Sequence, residues 1–197
     1  ATLTGGLLTY SGIENVSATV GLVNGINQGF SDKVGGSLFA GNFVITPTER
    51  ASFTYTVGAG DVADRGDTKI TGCIHSWVVE LKPDDFWTFA TCAVYEDVNV
   101  AGATGYTEAI IGQHIYYKTS ECWKFGTRVE WGRFKPTGAD STNDFEITFG
   151  ANWSPAASQH LSIRPEIRYD SCNVEKFAKD GSKKKQICLG LDAVATF

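Results

Sequence analysis

The stretch from Leu161 to Asp170 alternates strictly between apolar and polar side chains, and this alternation constrains the fold most. The odd positions carry Leu, Ile, Pro, Ile and Tyr, whereas the even positions carry Ser, Arg, Glu, Arg and Asp. Side chains of a β-strand point alternately to its two faces, so the pattern predicts a strand with one apolar and one charged face. The charged face turns to bulk water in a soluble sandwich, or to a water-filled lumen in a membrane barrel whose apolar face contacts lipid.

Similar alternating segments recur along the chain, whereas helical periodicity is almost absent. They predict eleven strands of roughly ten residues each, close to the length that a tilted strand needs to cross a bilayer. The predicted strands are residues 2–10, 16–24, 35–46, 51–60, 68–82, 86–96, 106–118, 122–134, 143–153, 160–171 and 185–197. No apolar run reaches the roughly 18 residues of a transmembrane helix, and no leader pattern opens the chain, so we expect a mature chain or a fragment.

The connections between these strands alternate between short and long. The short ones are residues 11–15, 47–50, 83–85, 119–121 and 154–159, and the longer polar ones are 25–34, 61–67, 97–105, 135–142 and 172–184. Outer-membrane barrels have short turns on the periplasmic side and longer loops outside, whereas a soluble sandwich has no reason for such an arrangement. The alternation therefore favours an all-β, antiparallel up-and-down transmembrane β-barrel over a soluble β-fold.

Several segments of the chain resemble the OmpL-like outer-membrane β-barrel porin family. The most specific is Ile163–Asp170, followed by the terminal segment Leu191–Phe197; the others are Gly6–Glu14, Gly21–Gly25, Phe43–Thr48 and Asn152–Pro155. The chain is similar to the C-terminal half of such a porin. The final aromatic residue, Phe197, resembles the C-terminal insertion signal of bacterial outer-membrane proteins, so the resemblance implies a location in the bacterial outer membrane.

The odd number of strands is a departure from this family, because bacterial single-chain barrels have even numbers. An open sheet in lipid would leave unpaired backbone groups at its edges, which is costly. Three arrangements satisfy the first strand within the single domain of residues 1–197. It closes on the last strand in a barrel of about 11–12 strands, it pairs with strands absent from this chain, or the true strand number is not eleven. The expected arrangement is the second, in which missing N-terminal strands or a second chain complete a larger barrel of 16 or more strands.

The charged side chains on the inward faces of strands 8 to 11 are the predicted pore-lining residues. They are Lys124, Arg128, Glu130, Glu146, Arg164, Glu166, Arg168, Asp170 and Asp192. We expect these neighbouring strands to form one wall, on which Arg128 pairs with Glu146 and Arg168 with Asp192. Such pairs either stabilise the wall or select solutes.

Cysteines are unusual in outer-membrane barrels, and this chain has five. Cys172 and Cys188 flank a loop whose predicted turn, residues 179–182, lies midway between them. Equal spacing from the turn would set the two side chains opposite each other on the inward face. The sequence therefore predicts a disulfide between them at the oxidising extracellular rim.

The net charge of −5 argues against nucleic-acid binding, which depends mainly on basic residues. No nucleophile motif, Gly-rich phosphate loop or metal-ligand spacing is evident, so we expect no enzyme activity, cofactor or metal. The expected partners are outer-membrane lipid and lipopolysaccharide, with further copies in a trimer or a second chain completing the barrel.

The function predicted from these features is an outer-membrane porin, with a water-filled channel for passive diffusion of small hydrophilic solutes. Two alternatives remain at this point. One is a non-conducting barrel that acts as an adhesin, anchor or interaction platform. The other is a soluble ligand-binding β-barrel, which would stay monodisperse without detergent.

Overall fold

The computed structural model describes residues 3–26, 36–65, 68–156 and 160–196, so the predicted insertion signal Phe197 lies outside the described residues. The described residues form eleven strands: β1 (Leu3–Ile13), β2 (Val16–Ile26), β3 (Leu38–Thr48), β4 (Ala51–Arg65), β5 (Thr68–Leu81), β6 (Trp87–Val100), β7 (Tyr106–Lys118), β8 (Trp123–Pro136), β9 (Thr142–Trp153), β10 (Leu161–Cys172) and β11 (Lys185–Ala195). Every predicted strand is confirmed, and several extend further than predicted. Within the described ranges, no helix has the length and apolar character needed to span a membrane.

The strands pair in chain order from β1 to β11, which confirms an all-β, antiparallel up-and-down fold. β1 and β11 stand at the two ends of this order. The chain divides into two compact units. Unit 1 comprises Ala1–Val79, Cys92–Ile110 and Phe134–Ser141, and unit 2 comprises Glu80–Thr91, Ile111–Arg133 and Thr142–Phe197.

In unit 1, an uncharged polar row crosses β1 to β4. The hydroxyls of Thr9 and Thr19 lie 2.9 Å apart, Thr19 is the register partner of Asn42, and the Asn42 amide donates to the Thr56 hydroxyl over 2.9 Å. Directly opposed residues share a face of the sheet, so these four side chains lie on one face. The polar face of unit 1 is therefore lined here by hydroxyl and amide groups.

The other face of unit 1 carries apolar and aromatic side chains. Phe43 and Tyr55 are register partners, and Tyr55 stacks on His75 and Trp77 with ring centroids 6.0 and 5.7 Å apart. The Tyr55 hydroxyl lies 2.7 Å from Nδ1 of His75, so this imidazole nitrogen has a hydrogen-bond partner within the aromatic cluster. Such amphipathic rings suit the interface between lipid and water.

In unit 2, the odd-numbered side chains of β8 to β11 form an exposed apolar face. Leu189 and Leu191 of β11 are 81% and 74% exposed. Trp123 stacks on Trp153 across β8 and β9, with ring centroids 6.0 Å apart. Large apolar side chains that are exposed on several neighbouring strands form a hydrophobic patch whose exposure to water is unfavourable.

The hairpin of β10 and β11 corrects two predictions. The predicted turn is present at the tip, where Phe177 pairs with Lys183. However, the residues from Asn173 to Lys176 form an excursion on the β10 side alone, so the Cys172 amide donates to the Lys184 carbonyl over 2.8 Å. The strands are therefore displaced by four residues from the symmetrical register that the sequence suggested.

Both corrections follow from this displacement. Cys188 lies opposite Arg168 rather than opposite Cys172, and both thiols are free, so the predicted disulfide is wrong. The partner of Asp192 is Arg164 rather than Arg168, so the second predicted ion pair is also wrong.

Contacts with β9 hold the excursion in place. The backbone amide of Asn143 donates to the side-chain oxygen of Asn173 over 2.7 Å, and the Asn173 amide donates to the Asn143 carbonyl over 3.1 Å. Lys176 Nζ lies 2.6 Å from Asp144 Oδ1. At the tip, the hydroxyl and amide of Ser182 donate to Asp180, which lowers the pKa of that carboxyl below its ordinary value.

Candidate functional site

The even-numbered side chains of β8 to β11 in unit 2 form one continuous polar face. Asp170 of β10 has Glu146 of β9 and Gln186 of β11 as register partners, and directly opposed residues lie on the same face. This set of side chains, named here the polar wall, contains every residue that the sequence predicted as pore-lining. A role in lining a pore stays a prediction.

Glu146 is the centre of the largest charged cluster on the polar wall. It accepts a hydrogen bond from Arg128 Nε over 2.8 Å, a further one from Arg128 Nη2, and one from the Thr148 hydroxyl over 2.9 Å. Arg168 Nη1 lies 3.9 Å from its second oxygen. The predicted pair of Arg128 with Glu146 is therefore present, and Glu146 is only 17% exposed.

Asp170 continues this cluster on the β11 side. Its Oδ2 accepts a hydrogen bond from Arg168 Nε over 3.2 Å and another from the Gln186 amide over 2.7 Å. Asp170 is 8% exposed, so these two donors satisfy a carboxylate that is nearly removed from solvent.

Arg164 and Asp192 form a separate pair nearer the other end of β10. Arg164 Nε lies 2.8 Å from Asp192 Oδ1, and Arg164 Nη2 lies 2.6 Å from Oδ2. This two-point geometry matches the planar guanidinium fork to both carboxylate oxygens. Both side chains are about half exposed, at 50% and 55%.

Glu166 lies between two glycines, because its register partners are Gly150 on β9 and Gly190 on β11. A Cβ at Gly190 would lie 2.8 Å from Glu166 Cγ, which is too close for packed atoms, and 3.0 Å from its Oε1. The missing side chain at Gly190 therefore provides the space in which the Glu166 carboxylate lies against β11.

A cavity of about 790 Å³ opens on the polar wall. Five of the predicted pore-lining residues border it: Lys124, Arg128, Arg164, Glu166 and Asp192. The other four, Glu130, Glu146, Arg168 and Asp170, belong to the same face but are not among the residues that line this cavity. The predicted residues are thus brought together on one wall and divided between two regions of it.

Four of the uncharged polar or aromatic residues that line the cavity were not among the predicted pore-lining residues. They are His114 and Tyr116 on β7 and Thr148 and Asn152 on β9. Tyr116 Oη lies 3.3 Å from His114 Nδ1. The Tyr116 ring lies over Gly126, since a Cβ added at Gly126 would be 3.0 Å from Tyr116 Cδ1. All four occupy even positions, so applying the alternation to uncharged as well as charged residues would have found them.

Comparison with known proteins gives one family and several solved structures. The family model described as "Putative beta-barrel porin-2, OmpL-like" matches residues 1–197. No curated protein matches the chain. In-vitro folded OmpT, an outer membrane protein of Vibrio cholerae, is similar in structure with a TM-score of 0.68 and 12% identity, over 96% of this chain and 62% of that one.

A second solved structure is the anion-selective porin from Comamonas acidovorans. It gives a TM-score of 0.65 and 9% identity, over 95% of this chain and 55% of that one. The chain therefore spans less than two thirds of the length of either porin. At these identities the likeness shows the fold, which is that of outer-membrane β-barrels.

Proposed function

Because this chain belongs to the family of putative β-barrel porins of the OmpL-like type, we propose that it forms a water-filled channel for small hydrophilic solutes. The bacterial outer membrane is the proposed location. The family and the fold give the class of protein, and the channel itself is the proposal.

One observation carries the proposal, namely the opposite chemistry of the two faces of β8 to β11. The odd-numbered face exposes residues such as Leu189, at 81%, whereas the even-numbered face holds ion pairs such as Arg164 with Asp192. Lipid on the first face and water on the second would satisfy both, because charged groups in hydrocarbon are costly. No catalytic role is proposed for the polar wall.

The end strands support a proposal about partners. β1 and β11 each have one strand neighbour among the described residues, and a free edge in lipid is costly. The solved porins have chains longer than this one. Further strands of the same protein, or a second chain, therefore pair with these edges in the proposed channel.

Lipid is the second proposed partner. Lys183 and Lys185 border a groove together with Tyr169 and Ile187. Ammonium groups beside an aromatic ring and an apolar side chain fit the phosphates and acyl chains of lipopolysaccharide.

The test is single-channel conductance of the protein extracted from outer membranes and reconstituted in planar bilayers. We expect discrete, long-lived conductance steps in potassium chloride. Vesicles that carry the protein should also leak small sugars faster than empty vesicles. A folded, detergent-dependent protein that gives neither signal would identify a non-conducting barrel, and a protein that is monodisperse without detergent would contradict membrane insertion.

A further inference from the structure

The arginines of the polar wall are engaged by carboxylates of the same wall. Arg128 is bound by Glu146, Arg164 by Asp192, and Arg168 by Asp170. A paired guanidinium offers little net field to an ion that passes beside it, because the carboxylate cancels most of its charge a few Å away. These arginines therefore contribute little preference for anions.

Glu166 differs from these acids, because no ion pair or hydrogen bond reaches its carboxylate from the part of the chain that the structure describes. Arg164 is two residues away on the same face, but both oxygens of Asp192 engage its guanidinium. Glu166 is exposed and borders the cavity, and Gly190 leaves the space in which it lies. Its negative charge is thus presented to the cavity.

Lys124 is the basic residue whose charge could oppose that of Glu166, because it also borders the cavity. It stands at the start of β8, beside the short turn that holds Glu121. Lys118 Nζ lies 2.6 Å from Glu121 Oε1, so that carboxylate is already paired and Lys124 keeps its positive charge. Lys124 is the second residue of β8, however, whereas Glu166 lies in the middle of β10. Glu130, a second acid on the wall, lies against Gly112 outside the cavity lining.

We infer that the polar wall prefers cations to anions and that Glu166 is the residue that determines this preference. The inference rests on the proposed channel. It names the solute class as small cations and cationic organic molecules, which the unpaired carboxylate of Glu166 would draw into the cavity while the arginines stay neutralised by their carboxylate partners.

The test is the reversal potential across planar bilayers in a potassium chloride gradient, measured with the protein extracted from outer membranes. We expect the wild-type channel to favour potassium over chloride. Glu166→Gln should reduce the permeability ratio about two- to threefold, since one charge a few Å from an ion in water contributes on the order of the thermal energy. Glu166→Asp keeps the charge and should keep most of the preference.

Glu175→Gln is the matched control, since it removes one carboxylate from an exposed loop position away from the cavity lining. It should leave the permeability ratio unchanged. Circular dichroism of all variants checks that they fold.

The outcomes separate the two proposals. Channels that favour chloride, or that respond equally to Glu166→Gln and Glu175→Gln, would overturn the role of Glu166 and leave the channel standing. Folded protein without conductance would overturn the channel and the inference together.

Discussion

Arg164 and Asp192 face each other across β10 and β11 and join at two points, Nε to Oδ1 at 2.8 Å and Nη2 to Oδ2 at 2.6 Å. The pair is half exposed, and exposed pairs add little to stability. In the proposed channel its role is therefore electrostatic, because the Asp192 carboxylate neutralises the Arg164 guanidinium at the border of the cavity.

Asp192→Asn should leave the positive charge of Arg164 without a carboxylate partner beside the cavity. We expect the permeability ratio of potassium to chloride to fall about two- to threefold, because an unpaired positive charge then faces passing ions. Thermal unfolding in detergent should change little. The double variant Arg164→Gln/Asp192→Asn should restore the wild-type ratio, and a ratio that stays low in the double variant would contradict the pairing.

The strands and their faces could be predicted from the sequence because alternation is a local signal. Arg128 and Glu146 illustrate this, since both occupy even positions on consecutive strands and the pair is present as predicted. The register of β10 with β11 could not be obtained in the same way. Its four-residue excursion depends on contacts of Asn173 and Lys176 with β9, which no local pattern encodes.

A single displacement accounts for both site predictions that failed. Cys188 and Asp192 each lie four residues from the positions that a symmetrical hairpin would give them. Cys188 is therefore opposite Arg168, and Asp192 is opposite Arg164. The glycines opposite Glu166 went unnoticed for a related reason. The meaning of a missing side chain at Gly190 becomes clear only when its cross-strand partner is known.

Glu146→Gln should destabilise the folded protein more than Glu130→Gln, a neutralisation on the same polar wall. Glu146 is 17% exposed and receives hydrogen bonds from Arg128 and Thr148, with Arg168 at 3.9 Å, so its neutralisation leaves the Arg128 guanidinium without its carboxylate partner. We expect a loss of about 1–3 kcal/mol in the free energy of unfolding. Urea unfolding in lipid vesicles measures it, with Glu130→Gln as the control on the same wall.

A smaller loss for Glu146→Gln than for Glu130→Gln would contradict the central position of Glu146. The comparison is sensitive because both substitutions remove one charge and keep the shape of the side chain.

The hairpin register predicts which cysteines can be joined. Cys172 and Cys188 should both react with an alkylating agent after denaturation without reductant, because both thiols are free. Lys184→Cys should form a disulfide with Cys172 under mild oxidation, since the two residues are opposed and joined by a backbone hydrogen bond of 2.8 Å. Mass spectrometry of peptides, with and without reduction, identifies the bond.

Lys183→Cys is the control for this experiment, because Lys183 pairs with Phe177 at the hairpin tip. It should leave Cys172 reactive. A bond between Cys172 and Cys188 in the wild-type protein would restore the symmetrical register and contradict the excursion.

The exposed apolar face of β11 predicts a strong dependence on lipid. Leu189 is 81% exposed, so Leu189→Arg would place a charge in hydrocarbon if this face contacts the bilayer. The cost is about 2–4 kcal/mol near the bilayer midplane, and folding into vesicles should fall accordingly. Gln186→Arg is the control on the opposite face, where Asp170 lies across the strand and can pair with it. The folded fraction, followed by the gel mobility of unheated samples, compares the two variants, and equal folding of both would mean that this apolar face does not meet lipid.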